Sequence, residues 1–120
     1  MIRLISFGYL HSTPPLADRV EDVRAKLRDP ARARNVLDLD GYHPRVQEIV
    51  RTTPGAEELL GELERYALSR STATLAIGCA GGKHRACALI ELLAGRLKAR
   101  GRDVEVEHRH AHLPRVLKDS

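Results

Sequence analysis

An apolar segment that runs directly into glycines and then into an amphipathic helix constrains the fold most. Residues 72–79 are compact and apolar, as in a buried parallel strand, and Gly81 and Gly82 follow at once. Apolar residues then recur at helical spacing from Ala86 to Leu97, and Gly101 is placed to end that helix. Because a final strand is predicted over residues 103–108, this order predicts a βαβ unit with a right-handed crossover, typical of the α/β class.

The remaining patterns extend this unit to one small domain. Residues 2–9 predict a first strand, and residues 43–52 predict a short helix. Thr53 is placed as the N-cap of a longer helix, with Pro54 in its first position. We expect a mostly parallel sheet flanked by helices in a Rossmann-like three-layer arrangement. That single domain would span residues 1–120, with 110–120 as a loosely ordered tail.

Residues 16–27 support two interpretations. Leu16, Val20, Val23 and Leu27 recur at helical spacing, which predicts a helix. The apolar and charged residues from Val20 to Arg24 could instead form a short strand. Residues 29–42 then predict a polar connection that carries two acids, Asp38 and Asp40.

Composition excludes several classes of protein. No segment approaches the roughly 20 apolar residues of a membrane span, and no signal peptide is recognisable, so we expect a cytoplasmic protein without a membrane partner. Two cysteines are too few for a disulfide framework, and the histidines lack zinc-site spacing, so no metal is expected. The net charge is +4 and sixteen of the twenty basic residues are arginine, which permits an anionic partner. Homo-oligomerisation is left open.

The chemistry concentrates in what we call the glycine loop, residues 79–85. It follows the carboxyl end of a strand, where ligands of α/β sheets bind, and it opens a helix whose N–H groups and dipole favour anions. Three basic side chains lie in the same turn, so we predict a phosphorylated small ligand and no cofactor. The candidate ligand-binding residues are Cys79, Ala80, Gly81, Gly82, Lys83, His84 and Arg85. This is not a Walker A loop, because His84 stands where a hydroxyl residue would hold magnesium.

The spacing Cys79-x5-Arg85 also suggests a catalytic alternative. Phosphatases with this spacing use the cysteine as nucleophile and the arginine as a phosphoryl clamp, and a helix N-terminus favours the thiolate. Asp38 or Asp40 would be the general acid. Gly78 and Ala86 replace the histidine and the hydroxyl residue that such enzymes usually carry. We therefore favour a non-catalytic function over an enzyme.

Four segments resemble the C-terminal domain of RapZ-like proteins. They occur in the family's order as Ser6-Phe7-Gly8, Asp22-Val23-Arg24, Ile77-Gly78-Cys79-x-Gly81-Gly82-Lys83-His84-Arg85 and His108-Arg109. In full-length members this domain follows a P-loop NTPase domain, and we expect this chain to be a stand-alone version of the second domain. Ala80 and Ala86 depart from the Thr and Ser that the family usually carries.

The resemblance implies a regulatory sensor of an amino-sugar phosphate, coupled to an RNA or protein partner. It implies that Arg24 lies on a strand whose end faces the ligand, which favours the strand interpretation of its segment. We add His11 as a residue that can reach the same pocket. The family's basic C-terminal end implies RNA contacts at Arg109, Arg115 and Lys118. An RNA-binding adapter without small-ligand control is therefore a third hypothesis.

Overall fold

The computed structural model describes residues 1–27 and 39–114. Four strands form one sheet in the order β2-β3-β1-β4, and every neighbouring pair is parallel. The strands are β1 (Ile2–Gly8), β2 (Arg19–Asp22), β3 (Ala73–Cys79) and β4 (Val104–His108). The α/β class and the parallel sheet predicted from the sequence are confirmed.

Three helices complete the described part of the chain: α1 (Pro44–Arg51), α2 (Ala56–Leu68) and α3 (Arg85–Ala99). His43 caps α1, since its Nδ1 accepts from the backbone N–H of Arg45 at 3.1 Å. None of the described helices is long and apolar enough to cross a membrane.

The predicted start of α2 was wrong. The helix begins at Ala56 and its N-cap is Gly55, whose φ of +93° lies in the left-handed region that favours glycine. Thr53 does not cap α2, because its Oγ1 donates to the carbonyl of Ile49 and so closes the end of α1. A Ser or Thr side chain that serves one helix end is unavailable to the next.

The helical interpretation of residues 16–27 was also wrong. The strand interpretation, over Val20 to Arg24, is confirmed for residues 20–22 in β2 and wrong for Val23 and Arg24, which lie in the turn after it. Val23 and Leu27 are both buried because a single turn joins them, with the Leu27 N–H bonded to the Val23 carbonyl at 3.2 Å. Leu16, by contrast, is 98% exposed. The helical spacing therefore came from one buried turn beside an exposed loop.

Burial differs between the two faces of the sheet. Residues from all three helices pack in one large cluster with Ile2 and Leu4 of β1 and with Leu75 and Ile77 of β3. The alternate residues of the same strands form a smaller cluster with loop residues. Its members are Ile5, Phe7 and Ala76, with Tyr9 and Ala17 packed against them. The packing fixes the carboxyl ends of β1 and β3 side by side, which positions the glycine loop.

Candidate functional site

The glycine loop connects β3 to the first turn of α3 and folds around the Cys79 sulfur. The backbone N–H groups of Gly82 and Ala86 donate to Cys79 Sγ, with N–S distances of 3.2 and 3.4 Å. Cys79 itself is 2% exposed. The sulfur therefore lies inside the loop, where it holds two of the amides, and is not presented to solvent as a nucleophile.

Two glycines allow the glycine loop to lie directly on the end of β1. A Cβ at Gly8 would come within 2.5 Å of the Gly81 carbonyl carbon, so a side chain there would displace the loop. Gly82 has a φ of +74° and a similarly close approach to the backbone of Gly8. The Leu10 N–H adds a hydrogen bond to the Ala80 carbonyl at 3.0 Å. These contacts fix the loop against β1 without any large side chain.

Other amides of the glycine loop are not used in this way. Among the residues that the structure describes, no backbone carbonyl accepts a hydrogen bond from the N–H of Gly81 or Lys83. Both precede α3, where the helix dipole favours negative charge. The loop therefore presents backbone donors of the kind that hold phosphate at helix N-termini.

The three basic side chains of the loop have different surroundings. Arg85 is 5% exposed and its Nη1 donates to the carbonyls of Val23, Arg24 and Leu27, at 3.0 to 3.2 Å. These bonds direct Arg85 toward the turn after β2. His84 is also buried, at 5% exposure. Lys83 is half-buried and forms no ion pair with a described residue, so its ammonium group is the most available of the three to an anion.

Arg24 lies in the turn two residues beyond β2, on the same edge of the sheet as the glycine loop, and not on the strand that the resemblance implied. Its guanidinium forms a bidentate pair with Asp22, with an Nη2–Oδ2 distance of 2.7 Å, and stacks over the Tyr9 ring at 3.8 Å. The hydrogen bond from Arg24 lowers the pKa of Asp22. Burial, with Asp22 nearby, raises the pKa of Tyr9. Arg24 is thus neutralised locally, as an exposed arginine paired with an acid.

His11 meets a histidine that the loop motif does not include. Its ring stacks on that of His110, with centroids 4.8 Å apart and an interplanar angle of 30°. His110 in turn accepts the backbone N–H of Gly8 at its Nδ1, 2.8 Å away. The sequence-predicted His11 is therefore brought to the glycine loop, together with His110, which sequence reasoning did not include among the ligand residues.

The phosphatase alternative requires a different arrangement of its parts. Its arginine must face the phosphoryl group, whereas Arg85 Nη1 donates to three backbone carbonyls. Its general acid must be available, whereas Asp40 Oδ1 accepts the Tyr42 N–H at 2.9 Å. Asp38 lies outside the described residues. The geometry is that of a binding loop more than of a nucleophile and its clamp.

A part-buried polar chain, which we call the histidine chain (Ser6, His108 and Glu91), joins β1, β4 and α3. His108 Nδ1 lies 2.5 Å from Ser6 Oγ, and its Nε2 lies 2.8 Å from Glu91 Oε2. Cys87 Sγ is 3.9 Å from the same Nε2. Burial, with contributions from Asp40 and Glu91, raises the pKa of Cys87 to about 12. Cys87 is fully buried on α3.

The structure describes only one of the three residues predicted for RNA contact. Arg109 Nε donates to Glu107 at 2.8 Å, whereas Arg115 and Lys118, also proposed for RNA contact, are outside the described residues. Within residues 1–27 and 39–114, no group of three His, Cys, Asp or Glu side chains is arranged to hold a metal ion.

A cavity of about 340 Å³ opens elsewhere, beside β2 and the start of α2. Its lining has both signs of charge around an apolar floor, formed by Arg19, Glu21, Lys26, Leu27, Gly55, Glu58, Leu59 and Glu62. No residue of the glycine loop contributes to it.

Comparisons with known proteins agree with this architecture. The family model described as the RapZ C-terminal domain matches residues 1–112. A nucleotide-binding protein of Bifidobacterium longum is 38% identical over 120 residues, covering 92% of this chain and 36% of that protein. Nucleotide-binding proteins of Frankia alni and Alkalilimnicola ehrlichii are 39% and 40% identical, and the alignment covers 39% of each. The chain therefore spans less than two fifths of the length of these bacterial relatives.

Proposed function

Because this chain belongs to the RapZ C-terminal domain family, we propose that it is a regulatory domain that binds a small phosphorylated metabolite at the glycine loop. The observation that carries the proposal is the pair of backbone donors at Gly81 and Lys83 beside the start of α3. Phosphate oxygens are strong acceptors, and amides at a helix N-terminus are suited to them. Lys83 Nζ supplies the positive charge.

The proposal divides the predicted ligand residues into two groups. Gly81, Lys83 and His11 line the binding position. Cys79 and Arg85 build the loop from inside, since the sulfur holds two amides and the guanidinium holds the turn after β2. Ala80, Gly82 and His84 belong to the backbone of the same loop, and Arg24 flanks it across the Tyr9 ring.

An amino-sugar phosphate is the ligand that family membership suggests, and the relatives' name, nucleotide-binding protein, suggests a nucleotide. Both carry a phosphoryl group, which is the part that the loop can recognise. An RNA or protein partner would make such binding regulatory, if the ligand changed the affinity for that partner. Since Arg109 is paired with Glu107, the described residues give the small ligand more support than RNA.

Thermal unfolding with a panel of ligands tests this function. The panel is inorganic phosphate, glucosamine 6-phosphate, glucosamine and AMP, and phosphate release is followed in the same wells. A ligand that binds only the native state at a hundredfold excess over its Kd stabilises it by about 2.7 kcal/mol. We expect the phosphorylated compounds to raise the midpoint, and glucosamine to leave it unchanged.

A matched pair of variants locates the site. Lys83→Gln removes a positive charge from the glycine loop before α3. Lys98→Gln removes one from the last turn of α3. The phosphate-dependent shift should disappear in Lys83→Gln and persist in Lys98→Gln. If both variants lose the phosphate-dependent shift equally, the shift depends on net charge and not on the glycine loop. That result would contradict the proposal. Phosphate release that stops in Cys79→Ser would replace it with the phosphatase alternative.

A further inference from the structure

His110 is placed beside the glycine loop by the pairing of β4 with β1. The Arg109 N–H donates to the Ser6 carbonyl at 3.0 Å, so the ladder continues one residue beyond the end of β4. His110 then follows next to Gly8, whose N–H donates to His110 Nδ1 at 2.8 Å. The imidazole is therefore held by the backbone of Gly8, at the end of β1 against which the glycine loop lies.

This hydrogen bond determines which ring nitrogen carries a proton. A backbone amide can only donate, so Nδ1 of His110 must be the acceptor and Nε2 of the neutral ring must carry the hydrogen. Desolvation lowers the pKa of His110, and His11, Arg109 and His112 lower it further. At neutral pH the ring presents an N–H donor at Nε2, which can neither bind a metal ion nor act as a nucleophile.

His110 also lies close to the loop, and its ring has an orienting neighbour. A Cβ at Gly82 would lie 3.1 Å from the Cβ of His110, which places the histidine directly over this part of the loop. The stacked ring of His11 covers it at 4.8 Å. Among residues 1–27 and 39–114, no acceptor is bonded to His110 Nε2.

We infer that His110 is a further ligand-binding residue, whose Nε2–H donates a hydrogen bond to a phosphoryl oxygen held at Gly81 and Lys83. The inference rests on the proposed function of the glycine loop. His11 acts as a positioning residue, since its stacked ring restricts rotation of His110. A neutral donor in this position favours a group that only accepts hydrogen bonds, such as a phosphate oxygen, over an ammonium or an amide N–H.

Two substitutions separate the roles of the two ring nitrogens. His110→Asn keeps a short acceptor for the Gly8 N–H and removes the remote donor. His110→Gln keeps a remote donor and removes the short acceptor. Calorimetric titration with inorganic phosphate should show an affinity about tenfold weaker in His110→Asn, as expected for one hydrogen bond to a charged group. His110→Gln should bind phosphate closer to the wild-type level but unfold at a lower temperature.

The same titrations distinguish this inference from the proposed function. If Lys83→Gln loses phosphate binding while His110→Asn retains wild-type affinity, the loop is the site and His110 is not part of it. If the wild-type chain binds neither inorganic phosphate nor glucosamine 6-phosphate, both proposals are overturned.

A ring-nitrogen NMR spectrum of the wild-type chain gives an answer that does not depend on any variant folding. We expect an unprotonated Nδ1 and a protonated Nε2 in His110, with the Nε2–H resonance shifting as phosphate saturates the site. A protonated Nδ1, or an Nε2–H resonance unaffected by saturating phosphate, would overturn the inference.

Discussion

The glycine loop and the histidine chain both contact β1 but differ in how their polar groups are satisfied. In the histidine chain both ring nitrogens of His108 have partners, Ser6 on β1 and Glu91 on α3. In the glycine loop the N–H groups of Gly81 and Lys83 have no backbone acceptor among the described residues. One region uses its hydrogen bonds within the fold, and the other has two backbone donors without a backbone acceptor among the described residues.

This difference separates stability from binding. A buried polar group costs free energy when its partner is removed, so substitutions in the histidine chain should destabilise the fold. A half-exposed donor is solvated in the free protein, so substitution at Lys83 should weaken ligand binding and little else. Arg85 belongs to the glycine loop by sequence. By its contacts it is a buried, internally bonded group like the histidine chain, since its guanidinium donates to three carbonyls.

Arg85→Ala should have the largest effect on stability. The substitution leaves the carbonyls of Val23, Arg24 and Leu27 without their donor, and it opens a space beneath the turn. We expect a loss of about 3 kcal/mol or more in the free energy of unfolding, measured by urea denaturation. Arg65→Ala, at an exposed arginine on α2, is the control. If Arg85→Ala keeps wild-type stability but fails to bind phosphate, Arg85 contacts the ligand and does not stabilise the turn.

Ser6→Ala should have the next largest effect. Ser6 is fully buried, and the substitution removes the hydroxyl that hydrogen-bonds His108 Nδ1 at 2.5 Å. The expected loss is about 2 kcal/mol in the free energy of unfolding, with phosphate affinity unchanged. Ser71→Ala, at an exposed serine before β3, should change neither quantity. A loss of phosphate affinity in correctly folded Ser6→Ala would show that the two regions are coupled.

Alkaline pH should destabilise the fold through Cys87. Its pKa is about 12 in the folded chain against an ordinary value of 9.0, so the folded state keeps a proton that the unfolded state releases. The stabilisation that Cys87 contributes is therefore fully present below pH 9. It is lost as pH rises from 9 toward 12, by roughly 1.4 kcal/mol per pH unit. Unfolding of wild type and Cys87→Ala between pH 8 and 10.5 measures the difference. If the free energy of unfolding falls equally with pH in both proteins, Cys87 is not the group responsible.

Lys83→Gln should have the smallest effect on stability. Surface substitutions away from packed or bonded groups usually change the free energy of unfolding by less than about 0.5 kcal/mol. The urea midpoint without ligand should therefore match that of wild type. A large loss of stability in the absence of phosphate would mean that Lys83 has a structural partner.

The sequence predicted the features that depend on neighbouring residues. The order of strand, glycine loop and helix is local, and β3 and α3 form where the apolar patterns placed them. The direction of Arg85 could not be predicted in this way, because its acceptor at Leu27 is 58 residues away and depends on the turn after β2. The buried turn that joins Val23 to Leu27 has the spacing of a helix, which explains the wrong prediction there.

The histidine chain and His110 required the sheet order. Ser6 and His108 are 102 residues apart and meet only because β1 lies between β3 and β4. The sequence shows that apolar residues alternate with acids along β4, but it does not show which strand lies beside it. One sequence signal was available. Ser6 and Gly8 are two residues apart in β1, and His108 and His110 have the same spacing, as expected for partners on two adjacent parallel strands.

An amide NMR titration of the wild-type chain with inorganic phosphate tests the central claim most directly. We predict that the N–H resonances of Gly81 and Lys83 shift most, and that the amide of Ala86, bonded to the Cys79 sulfur, and the resonances of the histidine chain move little. Shifts centred on Arg19 and Lys26, at the cavity beside β2, would place the anion elsewhere. The absence of any shift at phosphate concentrations that stabilise the fold would contradict the account.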